Sequence, residues 1–190
     1  MSRRLHLFNL LFASVGYIFI RLLLTPVRIK LLTSLLDKAD YGLLSLVMLS
    51  ISFMLLGTSF GSLEFLLRRL PGRDPDYQYG VLKTVVSTFG GLSVLFAFTG
   101  VLVLELIGPG RLGLTRWDMV AAGLLLVLNV HLAQLCYFMM GQGRYAKSRL
   151  LNLTNSAGWL LPLLLRWGAG VDVSTVLWIW VGWLAFCLVL

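Results

Sequence analysis

Long stretches of mainly apolar residues recur along the chain. Uncharged runs cover residues 41–63, 84–104, 119–143, 150–165 and 173–190, and a further apolar stretch covers residues 5–24. A helix that crosses the roughly 30 Å hydrocarbon layer of a bilayer needs about 20 apolar residues, and most of these runs approach that length. The connecting segments are short and rich in turn-forming residues, for example LPGRDPDYQYG and GQGRYAKSR. The pattern therefore predicts antiparallel transmembrane helices joined by short connections.

We predict an all-α fold, a polytopic transmembrane bundle of about six helices that forms a single domain over residues 1–190. The expected helices cover residues 5–36, 41–68, 81–107, 117–141, 148–167 and 173–190. The first helix contains Pro26 and the fifth contains Pro162. A proline within a helix removes a backbone hydrogen bond, so a kink is expected at both positions.

The composition supports a membrane protein. Hydrophobic residues make up 58% of the 190 residues and charged residues only 13%, far from the average of a soluble domain. The net charge is +8, but the Lys and Arg residues lie scattered between apolar runs, so we expect no nucleic-acid partner. Both cysteines lie within apolar segments, which predicts neither a disulfide framework nor a metal site, and we expect no cofactor.

The distribution of positive charges predicts the orientation in the membrane. With a cytoplasmic N-terminus, the inner segments hold nine Lys and Arg residues and the outer segments six. Cytoplasmic loops of membrane proteins carry the excess of positive charge. We therefore expect a multi-pass protein of the cytoplasmic (inner) membrane with both termini on the cytoplasmic side.

One region of the chain has a recognisable motif. An apolar helix is followed by a short acidic turn that ends in Asp40-Tyr41-Gly42, and then by a Leu/Ser-rich helix with Leu-Gly in its second half and Arg-x-x-Pro near its end. This arrangement resembles the polysaccharide-exporter branch of the multidrug/oligosaccharidyl-lipid/polysaccharide exporter superfamily, the MATE-like transporters that include O-antigen flippases. The segment GQGRYAKSRLLNL is similar to the Gly-x-Gly-Arg connector of that family. The likeness is close only in residues 31–71, and Asp37-Lys38 replace the usual Gly-Pro pair.

The resemblance implies a function in transport. Members of the family flip lipid-linked oligosaccharide or polysaccharide precursors, carried on undecaprenyl pyrophosphate, across the bacterial cytoplasmic membrane. They have twelve or fourteen helices in two lobes, and this chain resembles the N-terminal six-helix lobe. The expected partners are therefore membrane lipids, a lipid-linked oligosaccharide substrate, and a second lobe or another copy of the chain.

Polar residues within the apolar helices are the candidates for substrate binding. Arg21, Thr25 and Arg28 follow an i, i+4, i+7 spacing and share one face of a helix. Because guanidinium groups suit phosphate oxygens, we assign the pyrophosphate to Arg21 and Arg28. A shorter helix would instead let Arg21 extend to the headgroups. Amide side chains are candidates for the sugar, although such groups often bond only across helices; they are Asn129, Gln134, Asn152 and Asn155.

A second set of residues is assigned a structural role. Gly57 and Gly61 form a GxxxG motif, which predicts a close helix neighbour on that face. Glu64 continues the same face, so we expect its side chain to point toward that neighbour and to pair with Arg68 at i+4. The turn residues Asp40, Tyr41 and Gly42 complete the set.

Two other functions stay open. The chain could be a noncatalytic membrane assembly subunit, which would tolerate Arg21→Leu. It could also be a membrane-embedded enzyme that acts on lipid-linked sugars, with Glu64 or Asp118 as the nominated acid. No metalloprotease, nucleophile-elbow or P-loop motif is present in the sequence, so we expect no enzyme activity.

Overall fold

The structure, a computed structural model, describes residues 3–59, 61–108, 113–166 and 170–189, and these residues form an all-helical bundle. The helices are α1 (Arg3–Leu35), α2 (Lys38–Ser59), α3 (Ser62–Arg69), α4 (Pro75–Val85), α5 (Gly91–Ile107), α6 (Arg116–Gly141), α7 (Tyr145–Ala157), α8 (Leu160–Leu164) and α9 (Val173–Val189). A π-helical turn, Val86–Gly90, joins α4 to α5 without a break. The prediction of an all-α fold is confirmed.

Three helices of the described segments are long and apolar enough to cross a membrane. They are Lys38–Ser59, Pro75–Leu106 and Arg116–Gly141. Helix α9 is apolar but shorter, with 17 residues. The structure thus supports a membrane protein.

Helix α6 is the centre of the bundle. It packs against α2, α3, α5, α7 and α9, and its side chains Leu125, Leu126 and Val130 are fully buried. Leu177 and Leu184 of α9 are fully buried in the same apolar cluster. Since lipid tails are as apolar as leucine, this core is held by close van der Waals packing more than by exclusion of water.

The predicted helix at residues 41–68 is two helices. Gly61 has a φ of 75°, in the left-handed region, and α3 starts immediately after it. A Cβ placed on Gly57 or Gly61 would meet nothing within 4 Å, so no helix of the described segments approaches this GxxxG motif closely, and the close neighbour stays a prediction. Gly61 instead supplies the backbone conformation of the turn, which glycine adopts without steric cost.

The break at Gly61 also changes the predicted orientation of Glu64. The buried stripe of α3 consists of Ser62, Leu66 and Leu70, and the side chain of Glu64 is 72% exposed. Its expected ion pair with Arg68 is present at 3.7 Å. Glu64 therefore does not face a helix neighbour, because α3 turns a different stripe toward α6.

The predicted helix at residues 148–167 is also interrupted. Helix α7 ends at Ala157, and α8 begins at Leu160 and contains Pro162. A proline ring collides with the carbonyl group four residues earlier, which here belongs to Gly158, and proline has no N–H to donate. The distortion expected from Pro162 thus lies one turn before it. By contrast, α1 continues as a helix through Pro26.

The helix ends use side-chain caps. Asp37 accepts a hydrogen bond from the backbone N–H of Asp40 at 2.8 Å before α2. Asp172 accepts one from Thr175 at 2.8 Å at the start of α9. At α6, Thr115 and Asp118 form a capping box. Acidic or hydroxyl side chains at these positions satisfy backbone donors that the helix leaves free.

Candidate functional site

A small polar cleft lies between α1 and α7. Its lining is Arg21, Leu24, Thr25 and Arg28 of α1 together with Ser156 of α7, and it has room of about 100 Å³. The prediction that Arg21, Thr25 and Arg28 share one face of a helix is confirmed. That face is turned toward α7, the helix that α1 contacts most.

The hydroxyl groups in the cleft are used within their own helices. Thr25 donates a hydrogen bond from its hydroxyl to the carbonyl oxygen of Arg21 at 3.0 Å. Ser156 donates one to the carbonyl oxygen of Asn152 at 2.8 Å. Each hydroxyl oxygen keeps lone pairs for a further donor. The cleft therefore presents two guanidinium groups beside two hydroxyl groups that are held in place.

The two arginines have no acidic partner among the residues that the structure describes. The ion pairs found there join Glu64 to Arg68 and Glu105 to Arg116, and neither Arg21 nor Arg28 makes a side-chain hydrogen bond in these segments. Arg21 is exposed and Arg28 half-buried. Two guanidinium groups on one face, without a carboxylate among the described residues, have donors of the kind that suit the oxygens of an anion such as a phosphate.

Arg21 and Arg28 lie well inside α1, beside apolar side chains. At 1.5 Å per residue, Arg28 lies about 10 Å and Arg21 about 21 Å from the end of the helix at Leu35. The neighbouring side chains Ile18 and Leu22 are apolar and exposed, as on a lipid-facing surface. In a helix that spans a bilayer, a cation at the centre would cost about 2.5–3.5 kcal/mol on insertion scales.

The predicted amide residues fall into two groups. Asn152 and Asn155 lie on α7 close in sequence to Ser156, and both are half-buried. The side-chain oxygen of Asn155 is buried without a hydrogen-bond partner among the described residues. These two residues stand on the helix that forms the cleft, although Ser156 is the residue of α7 that lines it.

Asn129 and Gln134 do not line the cleft. Asn129 donates its side-chain N–H to the carbonyl oxygen of Leu125 at 2.8 Å, within α6. Gln134 is 0% exposed, and its amide oxygen and nitrogen both lack partners within the described residues. Gln134 is therefore sealed in the bundle in this conformation and does not reach a substrate in the cleft.

A second, apolar groove runs between α2, α5 and α6. Its lining includes Val47 and Met54 of α2, Gly100 and Val101 of α5, and Met119 of α6. The groove has room of about 100 Å³. The groove is separate from the polar cleft, which lies between α1 and α7.

The sequence alone does not show that Ser156 lies opposite Arg21. The i, i+4, i+7 spacing identifies a face of α1 but not the helix that this face meets. The other nominated acid, Asp118, serves in the capping box of α6, where its Oδ2 accepts from the backbone N–H of Thr115 at 2.8 Å. Comparisons of the chain with protein-family models, with curated proteins and with solved structures find no match.

Proposed function

We propose that the protein translocates a lipid-linked oligosaccharide or polysaccharide precursor across the bacterial cytoplasmic membrane. The observation that carries this proposal is the cleft between α1 and α7, where Arg21 and Arg28 face Ser156. A substrate carried on a pyrophosphate needs cations within the membrane. Among the described residues, these two arginines lie beside exposed apolar side chains of α1 and have no carboxylate partner.

The proposal assigns a role to each group of the cleft. Arg21 and Arg28 bind the pyrophosphate through their guanidinium groups, which present paired donors to phosphate oxygens. Ser156 adds a hydroxyl group, and Asn152 and Asn155 are placed on α7 to bond sugar hydroxyls. A second lobe or a second copy of the chain would complete the path, as the resemblance in residues 31–71 implies.

The test is an export assay in cells that depend on this chain. Arg21→Leu and Arg28→Leu should each lower export at least about tenfold, since a hydrogen bond to a charged group contributes about 1.5–3 kcal/mol. The lipid-linked precursor should accumulate on the cytoplasmic side. Arg21→Lys keeps the charge but loses the guanidinium fork, so an intermediate loss is expected. Arg166→Leu is the matched control, because Arg166 is exposed and lies outside the cleft.

Two other results would redirect the assignment. Normal export with Arg21→Leu at wild-type protein levels would favour a noncatalytic assembly subunit. Turnover of the lipid-linked sugar by the purified chain alone would show a membrane enzyme. Either result contradicts the proposed translocation role of the arginines.

A further inference from the structure

Helix α3 buries one stripe of side chains and exposes two arginines at its end. Ser62, Leu66 and Leu70 are buried, and α3 packs against α6. The contact is close, because a Cβ on Gly141 of α6 would lie 2.8 Å from Leu70 Cδ1 and 3.2 Å from the carbonyl oxygen of Leu66. Arg68 and Arg69 are exposed at the end of this firmly held helix.

Aromatic rings fix the direction of two arginines. The guanidinium carbon of Arg69 lies 5.7 Å from the ring centre of Phe65. That of Arg73 lies 5.5 Å from the ring centre of Tyr77. A guanidinium group held over an aromatic face keeps its N–H groups free along its edges. Both side chains are therefore positioned to donate hydrogen bonds to an anion.

The loop that follows α3 is joined to the loop that follows α6. Gln78 donates its side-chain N–H to the carbonyl oxygens of Leu70 and Arg73, at 3.2 and 2.9 Å. Its side-chain oxygen accepts from Gln142 at 3.0 Å. The bonds from Gln78 and Gln142 place the exposed cations of both segments on one end of the bundle: Arg68, Arg69, Arg73, Arg144 and Lys147. We call these five residues the basic end surface.

Three acidic residues, Glu64, Asp74 and Asp76, lie close in sequence to the cations of this surface, which number five. Glu64 pairs with Arg68 over 3.7 Å, with both side chains largely exposed, and Asp74 accepts the N–H of Tyr77 as the cap of α4. At the other end, Glu105 pairs with Arg116 at 3.1 Å, and Asp37 and Asp172 also lie there as helix caps. The two ends of the bundle therefore differ in charge, and the basic end surface is complementary to an anion.

We infer that the basic end surface binds the phosphate groups of anionic phospholipids in the leaflet that surrounds it. A cationic cluster at the end of membrane helices lies at the depth of the lipid headgroups, and each Lys or Arg there contributes about 1 kcal/mol to binding an anionic leaflet. Arg69 and Arg73 already lie against aromatic rings, and side chains placed before binding lower its entropic cost. This inference is independent of the proposed transport.

The test is a lipid titration followed by native mass spectrometry of the purified full chain. Phosphatidylglycerol should bind more tightly than phosphatidylcholine, and rising salt should reduce the difference. The double variant Arg69→Gln/Arg73→Gln should weaken phosphatidylglycerol binding about 25-fold, at about fivefold for each cation removed. The matched control Lys38→Gln/Arg166→Gln removes two exposed cations from the other end and should change the affinity by less than about twofold.

A variant of unchanged charge tests the joined loops. Gln142→Leu removes the hydrogen bond to Gln78 and should weaken binding about twofold to tenfold, since an ordered side chain is worth that factor. If Gln142→Leu left the affinity for phosphatidylglycerol unchanged, the hydrogen bond between the two loops would not be needed to position the cations.

Three results would overturn the assignment to lipid. They are equal affinity of the wild type for the two lipids, an equal loss in the control, and displacement of phosphatidylglycerol by a lower concentration of an RNA oligomer, which would indicate a nucleic-acid surface.

Discussion

The two sides of α7 near residues 154–159 are built differently. The side toward α9 is closely packed, with tryptophan rings against the backbone. The side toward α1 is an open cleft that holds two arginines. Residues 154–159 thus pack tightly against α9 on one side and border an accessible cleft on the other.

The close side depends on two tryptophans of α9. Trp183 donates its indole N–H to the carbonyl oxygen of Thr154 at 2.8 Å, and its ring occupies the space beside Gly158. Trp180 stacks on Trp159, with ring centres 5.4 Å apart. Trp159 is 1% exposed. The distorted end of α7 is therefore stabilised by rings that cover it.

The open side shows no comparable packing among the residues that the structure describes. Arg21 is exposed, and the surface of α1 around it carries exposed apolar residues such as Phe19 and Leu23. The difference shows that a polar side chain inside the bundle is closed to a ligand, whereas a polar side chain at the edge of the bundle is accessible to one. Gln134 lies within the packing, whereas Arg21 lies where a ligand can reach it.

The largest expected loss of stability comes from Gly158→Ala, which disrupts the close packing between α7 and α9. The added Cβ would overlap the Trp183 ring and lie 2.7 Å from the carbonyl oxygen of Thr154, a backbone atom that cannot move aside easily. Overpacking of this kind costs about 3 kcal/mol. Thermal unfolding of the purified protein in detergent should show the loss. Gly182→Ala on α9 is the control, because a Cβ there meets nothing within 4 Å. Equal stability of the two variants would contradict the close packing described for Gly158.

A smaller effect is expected for Trp183→Phe. Phenylalanine keeps an aromatic ring but loses the hydrogen bond to Thr154, so the free energy of unfolding should fall by about 1–2 kcal/mol. The backbone N–H of Gly158 also donates to that carbonyl at 2.8 Å, which limits the loss. Trp178→Phe, at a position 38% exposed, should have almost no effect in the same unfolding measurement. If Trp178→Phe lowered the free energy of unfolding more than Trp183→Phe, then Trp178 and not Trp183 would be the closely packed ring.

The two sides also differ in how far the sequence predicts them. The face of Arg21, Thr25 and Arg28 follows from spacing within one helix, which is a local property. Its meeting with Ser156 depends on which helices become neighbours, and no pattern within either helix specifies that. Proline chemistry accounts for the break before Pro162, but it does not by itself predict a break, because α1 continues as a helix through Pro26.

Glycine patterns were the least informative part of the sequence. Gly57 and Gly61 have the spacing of a packing motif, yet Gly61 forms a turn with positive φ. Gly158 belongs to no such motif, yet it lies against Trp183. A glycine allows both a close contact and an unusual backbone conformation, and the sequence does not distinguish between the two.

On the open side, substitutions should leave stability nearly unchanged. Ser156→Ala removes a hydroxyl that bonds only within its own helix, and Arg21→Leu removes an exposed cation. Each should change the free energy of unfolding by less than about 0.5 kcal/mol, as is usual for surface positions. The check is thermal unfolding of both variants beside Gly158→Ala. A loss with Arg21→Leu as large as that of Gly158→Ala would show that the cleft is part of the packing and not a binding surface.

The smallest effect concerns pH and the start of α9, which carries the closely packed tryptophans. Hydrogen bonds from the side chain and backbone N–H of Thr175 hold the pKa of Asp172 below its ordinary value, with Arg166 adding to the effect. A carboxyl whose folded pKa is lowered stabilises the protein above its unfolded pKa of about 3.9, and that stability is lost as the pH falls through the lower folded pKa.

Acidification below about pH 4 should therefore lower the unfolding temperature of the wild type slightly more than that of Asp172→Asn. The difference should stay below about 0.3 kcal/mol, because asparagine caps a helix about as well as aspartate and the exposed carboxyl is screened by solvent. Thermal unfolding at a series of pH values in one detergent measures it. A drop as large as that of Gly158→Ala would mean that the cap, and not the contact between Trp183 and Gly158, holds α9 against α7.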